Sequence, residues 1–108
     1  MWRRRRRRGR RGRFPKPIKL GVIPPVYSFT PNPPKDVVPI SIEMAELEAF
    51  RLVDVEGLSQ EDAGRRMGIS RGTIWRLLQR ARRKTAQAIS EGRPIHIVTE
   101  TKHVDVDL

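Results

Sequence analysis

The chain has 108 residues, of which 37% are hydrophobic and 32% charged, with a formal net charge of +11; this is room for one small domain with a modest core. It contains no cysteine, which excludes disulfides, thiolate metal sites and cysteine nucleophiles. No stretch approaches the ~20 apolar residues that span a membrane, and the prolines after the N-terminal arginines leave no apolar segment for a signal peptide.

The charge is distributed in blocks along the chain. Residues 1–19 contain nine arginines, two lysines and no acid, and so carry +11. Residues 36–62 hold eight acids and one base, whereas residues 63–90 hold eight bases and no acid. Basic blocks of this kind are typical of proteins that contact polyanions, because each neutralised phosphate releases counterions.

The first 40 residues divide into two segments of unusual composition. Residues 1–13 are low in complexity, and we expect a disordered arm because adjacent arginines repel one another and bury no apolar area. Residues 14–40 contain eight of the nine prolines and should be extended. Their apolar residues are expected to lie across a helical core: Val22, Ile23, Val26, Tyr27 and Phe29.

The first predicted helix follows Ser41. Serine is a good N-cap, and acids in the following turn suit the helix dipole. The helical period predicts an inward apolar stripe, and Gly57 is a natural stop. The stripe consists of Leu47, Phe50 and Val53, with Met44 and Leu52 at its edges.

Two further helices are predicted in quick succession. Ser59 caps a short helix that ends near Met67, and Gly68 breaks it. Ser70 caps a third helix that continues to about Ile89, and the alternating pattern that follows predicts one or two short strands. The inward stripe of the third helix is Ile74, Leu77, Leu78, Ala81, Thr85 and Ala88.

The second and third helices together match a helix-turn-helix, in which two helices are joined by a tight turn and the second, basic helix enters the DNA major groove. Ala63 and Gly64 are small enough for the helices to approach closely, and Gly68 permits a left-handed turn. The candidate DNA-binding residues are those at the start and on the outward face of the third helix: Ser70, Arg71, Gly72, Thr73, Trp75, Arg76, Gln79, Arg80 and Arg83.

These candidates differ in the contact we expect from them. Arginine binds guanine and glutamine binds adenine in a bidentate manner, so Arg71 and Arg76 are expected to contact bases, with Gln79 next. For Trp75, packing against residues 22–29 or a partner subunit is favoured over contact with a thymine methyl group or a sugar. The other basic residues are expected to contact phosphates or water: Arg65, Arg66, Arg80, Arg82, Arg83 and Lys84.

The arginine-rich arm has two interpretations that the sequence leaves open. It can enter a minor groove, as basic arms do in other DNA-binding proteins, or it can attract phosphates without specificity. The residues concerned are Arg3, Arg4, Arg5, Arg6, Arg7, Arg8, Arg10, Arg11 and Arg13.

Four blocks carry a resemblance to known proteins: Glu46 to Leu52 with Asp54, Gly57 to Glu61, Arg66 to Arg71, and Ala81 to Lys84. Residues 47–89 resemble region 4 of bacterial sigma factors, and about residues 10–98 are similar to the UPF0251 (DUF134) family of predicted DNA-binding proteins of bacteria and archaea. The resemblance implies a role in transcription regulation, with double-stranded DNA as the partner. It also implies a mainly α, three-helix helix-turn-helix domain that is sigma region 4-like and winged-helix-like.

The predicted organisation is therefore an arm at 1–13, an extended segment at 14–40, the helix-turn-helix domain at 41–92 and a C-terminal strand or tail at 93–108. The chain departs from the family pattern in its long arm and at three positions. Gly64 replaces a typical alanine, which should lower helix stability. Gly72 stands where the family often has a polar side chain, and Trp75 where it often has a small one. We expect these departures to affect the target sequence rather than the fold.

Two other functions remain open at this point. One is an RNA- or ribosome-associated protein that acts through its arm, although aromatic residues for stacking single-stranded bases are scarce. The other is an adaptor that docks on RNA polymerase through an acidic surface of the first helix, where Arg51 is expected to pair with Glu48 or Asp54. That surface consists of Glu46, Glu48, Asp54 and Glu56.

Catalysis is not expected, because no nucleophile–base pair, phosphate-binding loop or paired carboxylate is evident. His96 and His103 lack a third ligand, so we expect no metal and no cofactor. A homodimer would suit a single small module of limited affinity. We expect a cytoplasmic protein associated with the nucleoid.

Overall fold

The structure, a computed structural model, describes residues 18–21 and 23–99. These residues form a mainly α fold with short strands, as predicted. Its elements are β1 (Ser28–Phe29), β2 (Ile40–Glu43), α1 (Met44–Phe50), a π-helical continuation of α1 (Arg51–Val55), α2 (Gln60–Met67), α3 (Arg71–Glu91) and β3 (Ile95–Val98). The predicted arm of residues 1–13 and residues 100–108 lie outside the described residues.

The first helix begins later than predicted. Ser41 lies in β2, and the helix is capped by Glu43, whose backbone N–H donates to Oε1 of Glu46 at 3.0 Å. The prediction of Ser41 as the N-cap is wrong because residues 40–43 pair in parallel with β3. This pairing buries Ile40 and Ile42, and the helix starts only where the strand ends.

The side of α1 that is buried also differs from the prediction. Ala45, Ala49 and Leu52 are buried in the core that α1 shares with α2 and α3. Alanines at this contact allow the backbones of α1 and α3 to approach each other closely. The residues predicted for the inward stripe are only half-buried: Leu47, Phe50 and Val53.

The N-caps predicted for α2 and α3 are both present. The Ser59 hydroxyl accepts a hydrogen bond from the backbone N–H of Asp62 at 3.0 Å, and Ser70 accepts one from Thr73 at 3.1 Å. Between them Gly68 takes a left-handed conformation with φ 72°, which a glycine adopts without steric cost. Local capping and turn chemistry thus determine where α2 ends and α3 begins.

The inward face of α3 is confirmed. Of its six predicted residues, Thr85 is half-buried. The other five are buried: Ile74, Leu77, Leu78, Ala81 and Ala88. Within the described residues β3 lies at the centre of a three-stranded sheet, antiparallel to β1 and parallel to β2. Residues 95–98 therefore confirm the predicted C-terminal strand.

The proline-rich segment covers the helices less than predicted. Ile23, Tyr27 and Phe29 are largely exposed, and Val22 lies outside the described residues. Val26 and Phe29 instead line an apolar groove of about 290 Å³ along α1, which Leu47 and Phe50 also line. No helix in the described part of the chain is long and apolar enough to cross a bilayer.

Gly64 stands where α2 meets the turn into α3. Its carbonyl accepts the backbone N–H of Ile69 at 2.9 Å, and a Cβ at this position would lie 2.7 Å from the carbonyl oxygen of Ile69. Gly64 therefore has two effects on stability. It lowers helix propensity, as expected, but it also leaves the space into which the turn at Ile69 packs.

We predict that Gly64→Ala destabilises the protein although alanine is the better helix former. The contact with the Ile69 backbone is expected to lower the free energy of unfolding by about 1–3 kcal/mol, which outweighs the gain of at most about 1 kcal/mol from helix propensity. Urea unfolding followed by circular dichroism measures the difference.

The matched control is Gly72→Ala in the first turn of α3, where a Cβ would meet only the Ser70 hydroxyl at 3.9 Å. This variant should be neutral or stabilised by up to about 1 kcal/mol. A Gly64→Ala variant as stable as Gly72→Ala would contradict the role of the close approach.

Candidate nucleic-acid interface

The predicted DNA-binding residues lie between the cap of α3 and Arg83. Thr73 and Gln79 are half-buried. The remaining seven are exposed: Ser70, Arg71, Gly72, Trp75, Arg76, Arg80 and Arg83. The structure thus brings the nine candidates together on one side of the helix.

The start of α3 is held by its own side chains. The hydroxyl oxygens of Ser70 and Thr73 lie 2.9 Å apart, in addition to the capping bond between these residues. The Arg76 guanidinium approaches the Thr73 hydroxyl at 3.5 Å, the outer limit of a hydrogen bond. Ser70 and Thr73 therefore stabilise the helix start, while Arg71 and Arg76 extend from it.

Three of the eight bases in residues 63–90 are used inside the fold. Arg65 pairs with Asp62 one turn earlier in α2. Arg82 binds Asp54 through two hydrogen bonds of 3.0 and 2.8 Å, and Lys84 binds Glu46 at 2.8 Å. Each of these three bases therefore has a carboxylate partner in the fold, and their predicted contact with phosphates or water stays a prediction.

The other five bases of this block form no ion pair within the described residues: Arg66, Arg71, Arg76, Arg80 and Arg83. Arg76, Arg80 and Arg83 are spaced four and three residues apart, so they line one side of the helix over about 10 Å. The result is a basic stripe on α3 that begins at Arg76, in the second turn of the helix.

The acids predicted to form a surface on the first helix are partly buried. Glu46 is 2% exposed and Glu48 is 5% exposed. Glu48 accepts two hydrogen bonds from the Arg51 guanidinium, at 3.1 and 2.9 Å, and one from the backbone N–H of Gly21 at 2.8 Å. These two carboxylates stabilise the fold and are not available to a protein partner, so that part of the adaptor interpretation is wrong.

Arg51 forms one of its two predicted pairs. It binds Glu48 as expected, and its second partner is Glu56, at 2.9 Å, rather than Asp54. The hydrogen bonds to Glu48 raise the pKa of the Arg51 guanidinium above its usual value, against the opposing effect of burial. Arg51 thus remains charged and ties the start of the π-helical segment to its end.

Two candidates on the exposed face differ from the arginines. Trp75 is 53% exposed, so packing against residues 22–29 does not cover it. A Cβ at Gly72 would meet only the Ser70 hydroxyl, at 3.9 Å, so no contact in the described residues requires a glycine there. Within the described residues no group of three or more potential metal ligands occurs; His96 is exposed in β3, and His103 lies outside those residues.

The pair of Asp54 and Arg82 makes stability depend on pH. Hydrogen bonds from Arg82 lower the pKa of Asp54 below the usual 3.8 of an aspartate. A carboxyl group with a lowered pKa stabilises the folded state above its unfolded pKa, and this contribution is lost as the pH falls through the folded value.

We expect Asp54→Asn to lower the free energy of unfolding by about 0.5–1 kcal/mol at neutral pH, a modest value because the Asp54 side chain is 32% exposed. The difference from the original chain should shrink as the pH is lowered. Urea unfolding at several pH values tests this. The control repeats the substitution in an Arg82→Gln background, where an unchanged loss would contradict the pair.

Comparison with known proteins places the chain in a family. The family model described as "Protein of unknown function DUF134" matches residues 1–105. A UPF0251 protein of Pyrococcus furiosus is 48% identical over 99 residues, which cover 87% of this chain and 90% of the relative. Others from Thermococcus kodakarensis and Archaeoglobus fulgidus are 51% and 45% identical, over 73% and 81% of this chain and 73% and 83% of theirs. No solved structure matches at a significant level. The chain therefore belongs to the UPF0251 (DUF134) family.

Proposed function

We propose that this protein is a DNA-binding transcriptional regulator in which α2, its turn and α3 act as a helix-turn-helix, with the first half of α3 in the major groove. One observation supports this most: within the described residues, carboxylates pair with Arg51, Arg65, Arg82 and Lys84, whereas the arginines on the exposed side of α3 form no ion pair. Unpaired arginines repel one another, and DNA phosphates supply the opposite charge.

The residues of that face take different roles in the proposed complex. Arg71 and Arg76 extend from the helix start and reach base edges, where a bidentate arginine discriminates guanine by about 1–3 kcal/mol. Arg80 and Arg83 lie farther along the helix and bind phosphates, which fixes the register without reading sequence. Gln79, which is half-buried on the same helix, is next in reach of a base.

Gly72 and Trp75 complete the proposed contact. A glycine in open space on the exposed face leaves the backbone of α3 bare, so DNA can approach there more closely than beside a side chain. The exposed Trp75 ring can then contact a thymine methyl group or a sugar. The same exposure also suits packing against a second copy of the chain.

The test of the base-reading role is selection from fragmented genomic DNA at about 150 mM salt, the physiological ionic strength. We expect a recurring motif that the Arg71→Ala/Arg76→Ala variant no longer selects. The control is Arg82→Ala, which removes one positive charge from the same helix at a residue paired with Asp54, and it should select the original motif; Arg71→Ala and Arg76→Ala are also compared with it singly, so that the charge removed is equal.

The proposed phosphate contacts of Arg80 and Arg83 are tested by measuring DNA affinity at several salt concentrations. Arg80→Ala and Arg83→Ala should weaken binding to all sequences alike and reduce the salt dependence by about one unit each in the logarithmic slope. Retention of DNA without any motif would contradict the proposal. Equal competition by single-stranded RNA would then favour the alternative of an RNA-associated protein.

Trp75 provides a second test that separates DNA contact from self-association. In a Trp2→Phe variant, Trp75 is the one remaining tryptophan. We expect its fluorescence to change when the selected duplex is added, because DNA alters the surroundings of the exposed ring, and to be independent of protein concentration without DNA. A change with protein concentration alone would instead indicate packing between copies.

A further inference from the structure

Residues 18–21 determine where the N-terminal arm leaves the fold. The backbone N–H of Gly21 donates to the buried Glu48 on α1 at 2.8 Å. Three residues earlier the Ile18 side chain packs against the core, and between them Lys19 N–H donates to the carbonyl of Met67 at 3.1 Å. Followed toward its N-terminus, the chain therefore runs from α1 to the end of α2.

This path ends beside the start of α3. Ile18 lines a groove of about 680 Å³ whose other walls are α2, the turn and the first residues of α3. The residues that line it together with Ile18 include Glu61, Gly64, Ile69, Ser70 and Arg71. The first described residue, Ile18, thus shares a groove with Arg71, at the end of α3 that carries the proposed base contacts and far along the helix from Gln87.

On the basis of the proposed function, we propose that the arm and α3 bind one continuous stretch of DNA. The arm enters the minor groove on the side of the α3 N-terminus. Because Gly21 is held by a buried carboxylate and Ile18 by the core, the arginines nearest to Ile18 start from this flank. This attachment also raises their effective concentration there, which an untethered basic peptide cannot do.

The length of the arm fits this placement. Arg13 precedes Ile18 by five residues, which span at most about 18 Å. The next minor groove lies half of a 34–36 Å helical turn away, or roughly 17 Å. Arg10 and Arg11 therefore also reach this groove, and the six arginines at positions 3–8 extend the contact along the same flank. Arginine is well suited to a narrow minor groove because of its negative potential.

The absence of cysteine from the chain permits a direct test. Single substitutions Gly12→Cys, Glu61→Cys and Gln87→Cys, each coupled to an iron chelate that cleaves nearby DNA, place the label on the arm, at the start of α2 and near the end of α3. The probe is the selected motif in a duplex of about four helical turns. None of the three removes an arginine.

We expect the label at position 12 to cut a patch of about half a helical turn, next to the cuts from position 61 and on the side away from those of position 87. Deleting residues 1–13 should weaken binding at least about tenfold at physiological salt while the motif stays the same. A glycine–serine insertion of about eight residues after Arg13 retains every charge and should spread the cuts from position 12.

Cuts from position 12 that are spread over the whole duplex, or centred at the position 87 end, would overturn this inference. If the cuts from positions 61 and 87 remain fixed in that case, the proposed function stands. If all three labels cut without a fixed position, the proposed function fails as well. An insertion variant with the same confined cuts would also overturn the inference, because the held segment would then not direct the arm.

Discussion

The close contact between Gly64 and the turn at Ile69 determines how α3 is presented. The Ile69 carbonyl occupies the space of a side chain at position 64, and the Ile69 N–H donates to the Gly64 carbonyl. This contact places Ser70 as the cap of α3, and from there the 3.6-residue period sets which side of the helix carries Arg71 and Arg76. The proposed DNA-binding face is therefore a consequence of one backbone contact made at its edge.

Two ion pairs engage bases of α3 that border the buried side of the helix, whereas Arg71, Arg76, Arg80 and Arg83 form no ion pair within the described residues. Lys84 reaches back to the buried Glu46 of α1, and Arg82 to Asp54 of the π-helical segment. Both pairs join α3 to the segment that precedes α2, so they stabilise the packing of the three helices. They also consume acids that would otherwise neutralise a basic face. The division of the bases into paired and unpaired groups is thus produced by folding, since all of them look alike in the sequence.

The parts of the fold that depend on neighbouring residues could be predicted, and those that depend on distant ones could not. The caps Ser59 and Ser70 and the left-handed Gly68 act within a few residues, which is why α2 and α3 have the predicted bounds. Ser41 instead enters a strand because of pairing with His96. The positions of the candidate site follow from helical periodicity, but the partner of Lys84 is 38 residues away and leaves no local signal.

Gly64 and Gly72 show how the requirements of the fold can be separated from those of its proposed partner. Both lie inside helices, where glycine is less favourable than alanine by about 1 kcal/mol. At Gly64 the turn accounts for the residue, because the protein itself fills the space. At Gly72 no contact in the described residues requires glycine, and a local preference broken without an internal reason is typical of functional sites. Its position, one residue after Arg71 on the exposed face, places that reason at the surface that we propose meets DNA.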